Sequence, residues 1–216
     1  MKRIDIGGAL RHHLWEHSTA FPLVEVRQLE PVRKAPYASY AQAVSMPMQA
    51  STYLETAAHL YPERIKITDL PLDRLFTEAV VLKVPVAARS AITADGLEQA
   101  LNVSGENVKV GDSVLVATGW DQMWDEPNYV SDAPYFTPAA IDWVLERQAG
   151  LVGSDSCQWD NGQQGFFPKF FQSEILLLGP LTNLMLISQP RVRLITLPLK
   201  LEAVCAAPCR VIVEED

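Results

Sequence analysis

The sequence predicts an α/β fold in which β-sheets pack against helices, and three observations carry that reading. Two β-branched apolar runs, Ala79 to Pro85 and Ser113 to Thr118, are bounded by turn residues in the manner of buried strands. A helical segment from Thr137 to Gly150 leads directly into a third apolar run, Leu151 to Asp155, which is the helix-to-strand return of α/β proteins. The 216 residues, 48% hydrophobic and 20% charged, are enough for one packed core that needs neither disulfides nor a structural metal.

Each element has a local reason. Val24 to Leu29 alternates apolar and polar residues like a half-exposed strand. Gly111-Asp112 is a turn pair that feeds the 113–118 run. Thr93 is an N-cap for a short helix carrying Leu97, Ala100 and Leu101, with Gly96 as its weak point. Thr137-Pro138 supplies a cap and a first-turn proline, Ile141, Val144 and Leu145 share one face, and Gly150 stands where the helix should stop. Ile175 to Leu178, Leu194 to Leu197 and Arg210 to Val213 read as further strands, separated by turns at Pro180, Pro190, Pro198 and Pro208. No repeat, low-complexity tract or linker interrupts the chain, so residues 1–216 are expected to form a single domain.

Charge and composition narrow the function. Eighteen basic against 26 acidic residues give a net charge of -8, the wrong sign for holding a phosphate backbone, so nucleic acid is not an expected partner. No apolar run approaches the ~20 residues that cross a bilayer, and Met1 to Asp5 lacks the apolar stretch of a signal peptide. A cytoplasmic protein with a small-molecule substrate and no membrane partner is expected. Cys157, Cys205 and Cys209 form no Cys-x-x-Cys pair and are expected to be reduced thiols.

Three groups of polar and aromatic residues stand out. His12, His13 and His17 lie close together, and His13 and His17 would share a helix face, yet no glutamate completes a His-Glu-x-x-His motif. They read as a surface cluster, or as histidines that complete the site of a neighbouring subunit in an oligomer. Gln49, Tyr53, Glu55 and His59 have the same parity, so on an extended strand all four side chains would leave one face. The plain alternative is a solvated Glu55 and a satisfied core His59. Trp120 and Trp124, with Asp121 and Asp125, could line a pocket for a planar substrate or simply pack. Asp155 and Asp160 flank Cys157 and Trp159 and could orient polar ligands. Cys157 has no histidine or lysine beside it and is not read as a nucleophile.

These pieces, in this order, resemble the cyclase family of metal-dependent hydrolases, which includes bacterial kynurenine formamidase and isatin hydrolase. The likeness is carried by Ile67-Thr68-Asp69-Leu70-Pro71-Leu72, by Ala91 to Leu97, by Val110 to Trp120, by Val152-Gly153-Ser154-Asp155, by Leu181-Thr182-Asn183-Leu184, and by Leu197 to Leu201 with Pro208 to Val211. The resemblance implies a compact cyclase-like fold and assembly as homodimers or homotetramers. The family's signature, His-x-Gly-Thr-His-x-Asp-x-Pro-x-His, holds one or two divalent metals. Here Gln49 stands at the first histidine, Ser51 at the glycine, Tyr53 at the second histidine, Glu55 at the aspartate and Ala57 at the proline, while Thr52 and His59 are retained. The family's later histidine and glutamate align with Phe167 and Gly179, which offer no side-chain ligand.

The resemblance therefore implies a metal-dependent hydrolase of an amide, formamide or lactone-like bond, with Glu55 and His59 as catalytic residues and Tyr53, Trp120 and Trp124 against the substrate. One divalent metal would be held by Gln49, Glu55 and His59. The oxygens of Gln49 and Tyr53 would favour manganese or magnesium over zinc. The other reading is a member without metal or activity that binds a small aromatic ligand.

Overall fold

Main-chain pairing closes seven strands into a ring, and this ring positions everything else. The computed structural model describes residues 1–17, 21–162 and 165–216. In chain order the strands are β1 (Lys2–Asp5), β2 (Glu25–Gln28), β3 (Val32–Lys34), β4 (Tyr37–Ser39), β5 (Gln42–Ser45), β6 (Tyr53–Glu55), β7 (Phe76–Lys83), β8 (Ala91–Ile92), β9 (Ser113–Ala117), β10 (Tyr135–Phe136), β11 (Leu151–Ser154), β12 (Leu176–Gly179), β13 (Arg191–Pro198) and β14 (Ala206–Glu215). Three α-helices accompany them, α1 (Ala94–Ser104), α2 (Pro138–Glu146) and α3 (Phe166–Gln172).

The ring runs β14-β13-β7-β9-β11-β12-β6 and returns to β14 through Ala206↔Glu55, Ala207↔Leu54 and Pro208↔Tyr53. Strands β7, β9, β11 and β12 are mutually parallel, as the intervening helices require, and the other junctions are antiparallel. β1 lies on β14 beyond β6, pairing Lys2 with Glu215.

Period-two alternation divides the apolar side chains between two cores. Leu54, Val81, Leu115, Leu178, Leu194 and Val211 fill the inside of the ring. Val80, Val114, Val152 and Leu177 face outward and are covered by Leu97 and Leu101 of α1, Ile141 and Val144 of α2, and Phe170 and Phe171 of α3. The expected caps are present: Thr93 accepts from the Gly96 amide and Thr137 from the Ala140 amide. Gly150 is required for another reason, since a Cβ there would lie 2.7 Å from the Gly111 carbonyl oxygen.

Three expectations about elements change. Residues 49–59 are not one strand: only Tyr53–Glu55 is extended, because Ser51 takes a left-handed φ of 57° before it and Thr56 caps a 3₁₀ turn, Ala57–His59, after it. Helix α3 is an addition to the sequence reading. The C-terminal strands are longer than expected, Arg191–Pro198 and Ala206–Glu215 against cores of four residues each, because they pair with each other over six registers.

The segment from β2 to β5 is a long hairpin whose strands pair only with each other, Val26 opposite Val44 and Val32 opposite Ser39, and none of residues 25–45 is buried. All three cysteines are free. Among the described residues no helix is long and apolar enough to cross a membrane.

Candidate functional site

The outer face of β6, where it meets α3 and the 3₁₀ turn, carries a pocket of about 180 Å³ lined by His17, Phe21, Gln49, Tyr53, Glu55, His59, Cys157, Gln158, Trp159, Asp160 and Phe167. A larger groove of about 730 Å³ lies between β7 and α1, but its lining contains Lys83 as the one charged side chain and no acid, histidine or thiol. The chemistry is in the smaller pocket.

Four residues of the Gln49-to-His59 constellation meet there, by a route other than strand parity. Tyr53 and Glu55 project outward from β6. Gln49 arrives from the preceding turn and donates its Nε2 to Glu55 Oε1 at 3.0 Å. The 3₁₀ turn, capped where Thr56 Oγ1 accepts from the Ala58 amide, brings His59 Nδ1 to 3.1 Å from the same Oε1. Burial lifts the Glu55 carboxyl above its ordinary range, and His59 and Gln49 draw it part of the way back. The Tyr53 hydroxyl is held well above its usual pKa by burial, with Glu55 and Cys157 adding to the effect, so it stays protonated and able to donate.

The retained Thr52 is a structural tether. Its Oγ1 accepts from the Gly8 amide at 2.8 Å and donates to the Pro180 carbonyl, while its own carbonyl accepts from Cys209. Ser51, at the family's glycine, keeps the left-handed backbone that glycine adopts without strain, and its Oγ donates to the Gly8 carbonyl at 2.9 Å.

The histidine cluster divides. Residues 11–13 form a turn rather than a helix, which leaves His12 and His13 exposed and stacked with ring centroids 3.8 Å apart. His17 leaves them and enters the pocket of its own chain, edge-on to Tyr53 with centroids 5.8 Å apart. Burial lowers its pKa to about 4, so the ring is neutral, and its Nε2 is buried with no hydrogen-bond partner among the described residues. His12 and His13 thus keep the surface position expected of the cluster, whereas His17 does not.

Trp120 and Trp124 are also corrected. Both are buried in a third cluster with Leu14, Tyr129 and Cys157, and Trp120 Nε1 donates to the Tyr129 carbonyl at 2.8 Å. They support the pocket from behind, and its aromatic lining comes instead from Phe21, Tyr53, Trp159 and Phe167. Asp155 faces away from ligands: its carboxylate accepts from the amides of Thr118 and Gly119 and from Thr118 Oγ1. Asp160 does line the pocket. Cys157 lines it too, but burial pushes its thiol up to about 12, and its Sγ donates to the Tyr129 carbonyl at 3.6 Å, which leaves no nucleophile.

One residue that sequence reasoning missed is Cys205. A carboxylate oxygen of Glu55, an imidazole nitrogen of His59 and the Cys205 Sγ all lie within 4.8 Å of one another. The family's two-metal arrangement does not fit this chain. Phe167 fills its place in the pocket wall, and a Cβ at Gly179 would stand 2.9 Å from the Ser154 carbonyl and 3.3 Å from the Trp159 ring, so a longer acid has no room there. A single ion does fit, because one carboxylate, one imidazole and one thiol are already grouped.

The comparisons agree with this architecture. The cyclase family model, described as "Putative cyclase", matches residues 4–161, and the chain belongs to that family. An isatin hydrolase bound to the product analogue thioisatinate superimposes with a TM-score of 0.82 at 20% identity, covering 98% of this chain and 91% of that one. Isatin hydrolase A from Ralstonia solanacearum gives 0.81 at 18% identity, with 98% and 91% covered. A "predicted metal-dependent hydrolase" from Bacillus stearothermophilus gives 0.76 at 18%, with 98% and 97% covered. At such identities these structures establish the cyclase fold. No curated protein sequence matches the chain.

Proposed function

We propose that the protein is a hydrolase of a C–N bond in a small aromatic amide or formamide, or of a lactone-like ester, acting with one divalent metal. The observation that carries the reading is the convergence of Glu55, His59, Gln49 and a protonated Tyr53 on a small aromatic-walled pocket. At about 180 Å³ the pocket is below the ~300 Å³ of ordinary ligand clefts, which restricts it to a small substrate of one ring or a fused pair.

In the reaction, water adds to the carbonyl carbon, the C–N or C–O bond breaks, and the water's proton passes to the departing nitrogen or oxygen. The products are a carboxylate and an amine, or a hydroxy acid. A bound metal supplies a water of lowered pKa and polarises the carbonyl. Glu55 and His59, 3.1 Å apart, are the residues that would hold the metal. Tyr53 donates to the oxygen on which negative charge develops. Phe21, Trp159 and Phe167 hold the ring and exclude bulk water.

We also propose that the chain acts as a homodimer or homotetramer. The hairpin from β2 to β5 exposes Val26, Val32, Tyr37, Tyr40 and Val44, and an isolated two-stranded hairpin is marginal in water unless another surface covers it.

The test is turnover of aryl formamides, isatin-like lactams and aryl lactones by the metal-loaded protein. His59→Ala and Glu55→Gln should each lose at least ~100-fold in kcat/KM, and Tyr53→Phe ~100-fold in kcat. Full activity in His59→Ala would remove the assignment. Absence of turnover on every class, together with saturable binding of aromatic ligands, would favour the non-catalytic reading that Phe167 and Gly179 motivate.

A further inference from the structure

The sheet itself places a thiol beside Glu55 and His59. Ala206 pairs with Glu55 where β14 meets β6, and Thr56 donates its amide and its hydroxyl to the Cys205 carbonyl at 2.9 and 3.1 Å. Cys205 is thus fixed alongside Thr56 by main-chain register, while the capped turn folds His59 back over Glu55. The three potential ligands come from a strand end, a 3₁₀ turn and a strand start, all tied down by backbone hydrogen bonds.

The spacing suits an ion. Tetrahedral zinc, with bonds of about 2.0–2.3 Å, spaces its ligand atoms roughly 3.3–3.8 Å apart. Glu55 Oε1 and His59 Nδ1 are at 3.1 Å, and the Cys205 Sγ closes the triangle within 4.8 Å. Gln49 donates to Glu55 from outside the triangle, the position of an orienting partner rather than a ligand.

We propose that Glu55, His59 and Cys205 are the three protein ligands of one thiophilic ion of the zinc class, leaving a fourth position open to water or substrate. The assignment rests on the reading of this site as a single-metal hydrolase and names its ligand set. Cys205 supplies a third donor beside Glu55 and His59, in a site where Gln49 and Tyr53 offer no histidine nitrogen. A sulfur ligand also reverses the expected metal preference, since thiolates select zinc over manganese and magnesium.

The test uses the full chain, stripped with a chelator and titrated with Co²⁺ as a spectroscopic stand-in for zinc. One cobalt per chain, visible tetrahedral bands and a near-ultraviolet thiolate-to-cobalt charge-transfer band are expected. Cys205→Ser, with Cys205→Ala as a second variant, should remove the charge-transfer band and weaken zinc by more than the ~10–100-fold that loss of an outer partner costs. Gln49→Ala should keep the band and lose about that smaller factor. Both Cys205 variants retain Cys157 and Cys209, so the difference reports on one thiol, and circular dichroism checks that each is folded. Cobalt bound without the band, a band unchanged in Cys205→Ser, or no binding at all would overturn the ligand set. The hydrolase reading fails separately: a thiolate-bound ion with no turnover on any amide, formamide or lactone would keep the ligands and sink the reaction.

Discussion

Asp155 is fully buried at the end of β11, and its carboxylate holds the backbone where β9 gives way to Gly119. Burial raises its pKa from 3.8 to about 6, with the hydrogen bonds from Thr118 and Gly119 opposing the rise. The folded chain therefore takes up this proton at a higher pH than the unfolded chain. The resulting stabilisation is fully present below the unfolded value and is lost as pH rises through about 6. Denaturant midpoints compared between the protein and Asp155→Asn should diverge across that window, with a slope of at most ~1.4 kcal/mol per pH unit; parallel curves would contradict the assignment. Residues of this kind mark the limit of sequence reading. Glu55, His59, Gln49 and Tyr53 could be grouped because they are near in sequence. Cys205 could not, since its neighbour Thr56 is 149 positions away and only strand pairing joins them. Sequence does not separate His17 from His12 and His13, because only the turn after Arg11 sends it a different way, and aromatic residues after a strand, such as Trp120 and Trp124, look alike whether they line a pocket or pack behind it.

Among elements, the capped helices and apolar strands were legible because their signals are local. Thr93 and Thr137 make the capping bonds that their residue types promise, and the runs at 79–85, 113–118 and 151–155 all contribute strands to the ring. Helix α3 gave no such signal. Its start is Gly165 with a φ of 82° and no side-chain cap, its sequence is rich in phenylalanine, and Pro168 lies in its first turn, where a missing N–H is harmless. The junction of α2 with β11 offers a sharp test. Gly150 donates to the Asp112 carbonyl, and its own carbonyl accepts from Leu176 and from Arg74. With the Gly111 oxygen 2.7 Å from any added Cβ, Gly150→Ala must push two backbones apart and should cost about 1–3 kcal/mol. Thermal melting should fall by several degrees, and a change under ~2 °C would show that the junction yields easily.

For the whole molecule, ring closure is the feature that sequence patterning could not show. Period-two alternation says which side chains share a face, but not that β14 returns to β6. The hairpin from β2 to β5 belongs to the same scale, because its exposed apolar residues concern assembly rather than the fold of one chain. Val26→Lys with Val44→Lys, two directly paired positions, should shift light-scattering mass toward the monomer while leaving the far-ultraviolet spectrum intact. An unchanged mass would place the assembly contacts elsewhere.

The ring is not equally strong around its circumference. β13 pairs with β14 over six registers and β7 with β9 over five, but β12 and β6 are each held on both sides by only three. Opening motions should therefore begin in the stretch from β12 to β6, and amide hydrogens of Leu54 and Ala207 should exchange with solvent sooner than those of β7 or β9. Glu55 and Cys205 stand on opposite sides of that narrow seam. An ion shared between them would act as a clasp on one of the ring's short joints, so that loading the metal slows deuterium uptake at β6 far more than at β7 or β9.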